Sequence, residues 1–416
     1  MLSQRLNSSW RAEALPSETP APRNGRVSSF LSRRTRSLPH PFRRIYPSNH
    51  GRALQTVLSV SGKDVAVNGN GRLTTMPLEK CKVVVFSSQS YMMPYFEPKF
   101  REACPDSKFI AAQLDKNTAP LANGYDVACI FVNDYCDREV LEILAEGGIK
   151  MVALRCAGYD GVDVHAANEL GIRVTTVLNY SPTSLAEHAV ALTTTLIRNI
   201  HLAYNRVWQG NYTLSGLEGM EIHGKTVGVI GTGPVGASFC AIMKGFGCTV
   251  LANALEPNPK CVKMGVEYVS LDDLLEKADI VSLHCPLNPT TFHIINRERL
   301  IKMKPTALLI NVSRGGLVDT DALLDALEAG DVGGCGMDVY EKEGNLFFQD
   351  FTTNPATKRF DFWDRRFAAL KVYPNVLITP HSAFLTSEAM ENIASMTVKN
   401  IENFCKGAEI QDEIKA

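Results

Sequence analysis

Residues 226–236, TVGVIGTGPVG, decide the fold, and they run directly into ASFCAIMKGFG over 237–247. An apolar run of strand length leads into glycines spaced GxGxxG, and the segment after them is helix-like. In that strand, turn and helix setting, Gly231 permits the tight turn and Gly233 lets the backbone approach a pyrophosphate. Gly236 lets helix pack on strand, and the free N–H groups of the helix start face the anion. The segment therefore reads as a dinucleotide cradle, with a ligand-free glycine turn as the plain alternative. About twenty residues further on, a carboxylate usually binds the adenosine ribose. Here the second strand reads TVLANALEPNP, with Ala254 at that position and Glu256 two residues later. No arginine adjoins Ala254, so NAD is the expected cofactor, and the missing acid leaves NADP open.

Outward from the cradle, apolar runs alternate with helix-like stretches. CTVLA, DIVSLHCPL, ALLINVS, GCGMDVY and VLITPH follow it, with segments such as DALLDALEAG between them. Upstream, CKVVVFS, DVACIFV, KMVALRC and IRVTTVL form an earlier series of the same kind. Both series predict parallel sheets with crossover helices, hence an α/β chain with two Rossmann-like doubly wound parallel-sheet domains. SLAEHAVALTTTLIRNI at 184–200 reads as one long helix separating them, with a boundary near residue 180. After His381, residues 387–407 read as a last helix with no further strand. That helix is expected to return to the first domain, which makes it discontinuous.

A length of 416 residues suits two domains, and 45% hydrophobic with 21% charged residues is ordinary globular composition. No run approaches the roughly 18 apolar residues of a membrane span, so no membrane partner is expected. The eleven cysteines are odd in number and never spaced CxxC, which predicts buried thiols in a reducing compartment rather than a disulfide framework or zinc site. The nine histidines form no HExxH, and no metal is expected.

The net charge of −1 hides a split: residues 1–78 carry twelve basic and three acidic groups, and 79–416 carry 31 and 41. Residues 1–60 hold ten arginines and no lysine, in stretches such as SSFLSRRTRSLPHPFRR. That composition reads as an organelle transit peptide, of mitochondrion or chloroplast, followed by a linker to residue 78. A basic tail and a nucleic-acid-binding arm are the alternatives. No folded nucleic-acid module follows, so no nucleic-acid partner is expected.

In an open parallel sheet, ligands collect at the carboxyl ends of the strands. Arg314 follows ALLINVS, Asp338 ends GCGMD with Glu343 shortly after, and His381 follows VLITP. A guanidinium binds a carboxylate through paired hydrogen bonds, so Arg314 suits a 2-oxo acid. His381 suits delivery of a proton to the carbonyl oxygen as hydride reaches its carbon. Glu343 suits the carboxylate that holds the imidazole in its protonated form. Taken singly, each has a plain alternative as a surface ion pair, a solvated charge or a backbone-bonded histidine.

GTGPVG, NVSRGGLVD, MDVYEKE and TPH together resemble the D-2-hydroxyacid dehydrogenase family from about residue 80 to the end. The resemblance implies a substrate domain of 79–181 plus 381–416 and a dinucleotide-binding domain of 182–380. It also implies Arg314 as substrate-binding arginine, Glu343 as histidine partner and His381 as acid/base. Within the family, YSPTSLAEHAVAL, HSAFLTSEA and EGNLFFQDF are similar to segments of the fermentative D-lactate dehydrogenases. That similarity implies pyruvate as substrate, its carboxylate gripped by the backbone of Ala157 and Gly158 and its methyl group facing Tyr180 and Phe384. It further implies that Pro234 and Val235 adjoin the pyrophosphate, that Cys285, Pro286 and Thr291 lie on the adenosine side, and that Val312 and Asp338 lie near the nicotinamide. Family members are usually homodimers, with the 184–200 helix contributing to the interface. A glyoxylate or hydroxypyruvate reductase is the alternative enzyme, and a dinucleotide-sensing corepressor is the alternative of another class.

Overall fold

The computed structural model describes residues 81–352 and 364–415. The leader and linker expected over 1–78 lie outside the described residues. Two sheets organise the rest. The first runs β2 (Lys108–Phe109), β1 (Val83–Val85), β3 (Val127–Ile130), β4 (Met151–Leu154), β5 (Arg173–Thr175), the doubly wound order 2-1-3-4-5. The second runs β8 (Glu267–Tyr268), β7 (Thr249–Asn253), β6 (Thr226–Ile230), β9 (Ile280–Leu283), β10 (Leu308–Asn311), β11 (Gly334–Met337), β12 (Val376–Ile378). That is the 3-2-1-4-5-6 order of dinucleotide-binding sheets with one strand added at the far edge.

The central strands β3, β4, β9, β10 and β11 are buried along their whole length. Helices cover both faces of a parallel sheet, which is why these strands read as continuous apolar runs instead of alternating ones. Side-chain caps fix where the helices begin. Ser181 accepts from the Ser184 N–H at the start of Pro182–Ile197, and Asp319 accepts from two N–H groups at the start of Thr320–Ala329. These caps satisfy backbone donors that have no partner within the helix.

Three expectations need correction. The long helix ends at Ile197, because Asn199 turns left-handed at φ 52°, and a second helix, Ile200–Trp208, starts from it. The chain does form a further strand after its last helix, Ser387–Cys405. This strand, β13 (Glu413–Ile414), pairs antiparallel with β5, and Arg173 grips Glu413 through two bonds of 2.6 and 2.7 Å. Two residues held at an open sheet edge leave no apolar run to read. Finally, the cysteines are not all thiols. Cys81 and Cys405 are disulfide-bonded, while the other nine are free and buried. The bonded pair lies 324 residues apart, brought together because the last helix packs back against the helix Met93–Ala103 of the first sheet.

Candidate active site

The carboxyl end of β10 starts the site. Beyond Asn311 the chain turns sharply: Asn311 accepts from the Ser313 N–H (3.1 Å) and donates to the Arg314 carbonyl (2.8 Å). Ser313 donates to the Cys285 carbonyl at 2.7 Å, which ties this exit to that of β9. Arg314 projects from the turn into a cavity also lined by Ala157, Gly158, Tyr180, Val312, Asp338, His381 and Phe384. Its Nη1 donates to the Ser313 carbonyl and its Nε to the Asp160 carboxylate, both at 2.8 Å. Burial works against the charge of Arg314, and Asp160 more than offsets this, so its pKa stands above the ordinary value. A Cβ on Gly158 would stand 1.6 Å from Arg314 Nη2, so only glycine lets the guanidinium reach this wall.

His381 sits beyond β12 with φ 53°, in the left-handed region. Asp338, at the exit of β11 and fully buried, holds it there. The Asp338 carbonyl accepts from the His381 N–H (2.8 Å), and its carboxylate accepts from the N–H groups of Ser382 and Ala383 (2.8 Å each) and from the Thr379 hydroxyl (2.5 Å). Burial pushes the Asp338 carboxyl up, but bonds from His188, Thr379, Ala383 and Ser382 outweigh it and hold the pKa below the ordinary value. His381 Nδ1 lies 2.6 Å from Glu343 Oε1, and Glu343 Oε2 accepts from the Tyr340 N–H at 2.8 Å. A carboxylate only accepts, so Nδ1 carries the proton in this pair and Nε2 is left for a substrate. Glu343 itself stands behind the histidine, outside the cavity wall. Burial also pushes the Tyr180 hydroxyl up, which keeps the phenol neutral.

The cradle lies beside this cavity, linked to it through Cys285 and Ser313. Gly231 has φ 92°, and a Cβ there would meet the Cys285 nitrogen at 2.6 Å. A Cβ on Gly236 would stand 2.0 Å from the Gly231 carbonyl oxygen, whereas Gly233, which caps the helix Pro234–Gly245, faces open space. Close packing at the outer two glycines and room at the middle one fit a dinucleotide pyrophosphate. Pro234 is the first residue of that helix and Val235 is half-buried against the core. Thr291 donates to the Pro286 carbonyl at 2.7 Å, stiffening the loop after β9. Ala254 directly follows β7, and Glu256 is exposed. Among the described residues, no group of three or more His, Cys, Asp or Glu could hold a metal ion.

The structure thus brings Arg314, His381, Asp338, Val312, Ala157, Gly158, Tyr180 and Phe384 to one cavity, with Glu343 on His381. Pro286 and Thr291, and the cradle residues, lie outside that cavity's lining. Sequence reasoning missed three residues. Asp160 bonds to Arg314. Arg155, only 2% exposed, donates to the Phe86 and Ser87 carbonyls and lies 4.4 Å over the Phe131 ring. Phe348, with φ 63°, packs on both His381 and Phe131. Asp160 and Arg155 both lie in the LRCAGYD exit of β4, a strand end where ligand-binding side chains are expected.

Comparison with known proteins follows the same lines. Residues 190–383 match the family model described as D-isomer specific 2-hydroxyacid dehydrogenase, NAD binding domain. The chain is 46% identical over 324 residues to the 2-hydroxyacid dehydrogenase homolog 2 of Schizosaccharomyces pombe, covering 78% of this chain and 96% of that one. It is 41% identical over 333 residues to the D-lactate dehydrogenase of Escherichia coli, covering 80% and 99%. The solved structure of the pyruvate reductase of Chlamydomonas reinhardtii matches with a TM-score of 0.77 and 49% identity, over 81% of this chain and all of that one.

Proposed function

The chain belongs to the D-2-hydroxyacid dehydrogenase family and is an NAD-dependent enzyme, and from that premise we propose that it is a D-lactate dehydrogenase working chiefly as a pyruvate reductase. The observation that carries the reading is the His381–Glu343 pair facing Arg314 across one cavity, beside a cradle fitted to a dinucleotide.

When bound, NADH supplies the hydride, and pyruvate with one proton becomes D-lactate with release of NAD+. Every other part of the chemistry belongs to the chain. Arg314 holds the substrate carboxylate through its uncommitted Nη2, with the backbone of Ala157 and Gly158 alongside. His381 Nε2 gives its proton to the carbonyl oxygen as negative charge develops there, and takes it back in the reverse direction. Glu343 fixes the tautomer and the ring direction by accepting from Nδ1–H. Tyr180, Phe384 and Phe131 bound the space beside the reacting carbon, and the cavity, about 80 Å³, favours a methyl group over a long side chain. Gly231, Gly233, Pro234, Val235 and Gly236 receive the pyrophosphate, and Cys285, Pro286 and Thr291 flank the adenosine half.

The substrate domain is assigned to residues 79–181 plus 381–416 and the coenzyme domain to 182–380, a division supported by the separate strands of the two sheets. A homodimer is assigned to the face bearing Ile200, Tyr204, Val207 and Trp208, because these large apolar side chains are all more than half exposed. The arginine-rich first sixty residues support import into an organelle. No helix among the described residues is long and apolar enough to cross a membrane.

The test follows NADH absorbance with pyruvate, glyoxylate and hydroxypyruvate, and checks the chirality of the product. The expected result is the highest kcat/KM on pyruvate with D-lactate formed. A preference for glyoxylate or hydroxypyruvate moves the chain to the reductase alternative, and absence of turnover on all three refutes the enzyme reading.

A further inference from the structure

Arg314 has one ionic partner among the described residues, and it comes from the opposite wall of the cavity: Asp160, on the loop after β4, 154 residues away in sequence. We infer that Asp160 is a positioning residue for substrate binding, aiming the Arg314 guanidinium at the backbone of Gly158. The inference rests on the reading of Arg314 given above.

A guanidinium presents its N–H donors in a rigid planar fork, so fixing two of its nitrogens fixes the direction of the third. Nε is held by Asp160 Oδ2 and Nη1 by the Ser313 carbonyl, each at 2.8 Å. Nη2 is left facing Gly158 so closely that a Cβ there would overlap it. The Ser313 carbonyl belongs to the residue next to Arg314 and moves with it. Asp160 is therefore the external reference point. Its loop is itself pinned, by Cys136 N–H to the Gly161 carbonyl (2.9 Å), Val162 N–H to the Tyr159 carbonyl (3.0 Å) and Cys156 Sγ to the Gly158 carbonyl (3.2 Å).

Stability does not account for the pair, because Asp160 is 49% exposed and Arg314 26%, and ion pairs that open to water contribute little. Nor does attraction of the substrate: a second carboxylate beside Arg314 repels an incoming 2-oxo acid. Orientation and repulsion act on KM with opposite signs, and a variant tells which is larger. Asp160→Ala removes both, whereas Asp160→Asn keeps an accepting oxygen at the same place and removes the charge.

The experiment uses the full chain with NADH and pyruvate, adding inhibition by oxamate, which has the shape and charge of pyruvate but is not reduced. Melting temperature is measured on the same preparations. Asp160→Ala is expected to raise the pyruvate KM and the oxamate inhibition constant together by about tenfold, the loss of one charge-assisted hydrogen bond, with kcat within about threefold. Asp160→Asn is expected to restore both constants to within about threefold of the parent protein. An unchanged or lowered KM in Asp160→Ala overturns the inference, since repulsion then dominates. So does an Asp160→Asn variant as impaired as the alanine one, and so does a KM rise matched by a fall in melting temperature in both variants. A parent protein that turns over no 2-oxo acid sinks the functional reading itself. A working parent with indifferent Asp160 variants sinks only this inference.

Discussion

Gly158→Ala isolates Arg314, the proposed substrate-binding arginine, without replacing it. The added Cβ would stand 1.6 Å from Arg314 Nη2 and 2.8 Å from its Cζ, against an ordinary contact of 3.4 Å or more, so the guanidinium must withdraw by about 2 Å. The clash is with the end of a flexible side chain, not with backbone, so the fold survives and the guanidinium moves. A displacement of that size breaks the bond from Nη2 to the substrate carboxylate, a charge-assisted bond that contributes about 1.5–3 kcal/mol. Loss of that bond at the upper end of this range amounts to about 3 kcal/mol, or roughly a hundredfold in kcat/KM. Steady-state kinetics with NADH and pyruvate should show this mainly as a raised KM. Fluorescence titration should show NADH affinity within about twofold, because the cradle residues do not line the cavity that holds Gly158. A variant with the parent's KM and melting temperature would mean that Arg314 does not work from this position, and the mechanism would have to be rebuilt.

Glu343→Gln keeps an accepting oxygen beside His381 Nδ1 but replaces the carboxylate by an amide; kcat should fall about 10- to 100-fold with NADH affinity unchanged, and a normal kcat would remove Glu343 from the mechanism. Asp338 has a folded-state pKa below the ordinary value, so it contributes stability above its unfolded pKa of about 3.9 that is lost as pH falls through the folded value. Denaturant midpoints should therefore hold steady from neutral pH to about 5 and drop below about 4. Asp338→Asn should be less stable at neutral pH by about 2 kcal/mol and show a shallower acid drop, whereas parallel curves would contradict the assignment. Ala254→Asp should tighten NADH and weaken NADPH in fluorescence titrations, each by about tenfold, and identical affinities would show that the ribose is held elsewhere.

The fold was legible where strands are buried on both faces, because β3, β4 and β9 to β11 had no alternative to continuous apolar sequence. It was illegible at β2, β8 and β13, each only two residues long and defined by a neighbouring edge rather than by its own composition. The same division holds in the site. Arg314, Asp338 and His381 stand at exits of consecutive strands of one sheet, so sequence position alone placed them. Asp160 meets Arg314 only because the other sheet's loop faces it, and Cys81 meets Cys405 only because the last helix folds back. Contacts between elements of different sheets leave no local periodicity to read.

The left-handed backbone at His381 explains why the proposed acid/base residue stands where it does. A non-glycine residue in that region costs about 1–2 kcal/mol, so the conformation persists only if its surroundings over-determine it. Asp338 does this with four acceptor contacts on the turn, at Thr379, His381, Ser382 and Ala383. The turn is also where the chain leaves the second sheet for the first, since Phe384 and the helix Ser387–Cys405 pack in the first core. The opposite crossing, by the helix Pro182–Ile197, runs alongside: His188 Nε2 lies 2.9 Å from the Thr379 hydroxyl, and the Ser184 and Thr386 hydroxyls lie 2.9 Å apart. Both connections between the sheets are thus hydrogen-bonded to each other beside the buried Asp338 carboxylate. A histidine placed elsewhere on the second sheet would be fixed relative to one wall of the cavity only. At the crossing it is fixed to both, to the sheet that carries the cradle and to the sheet that supplies Ala157, Gly158 and Asp160. In the proposed mechanism, proton delivery from His381 and the grip of Arg314 and Gly158 on the substrate therefore share one frame of reference, which one sheet alone does not supply.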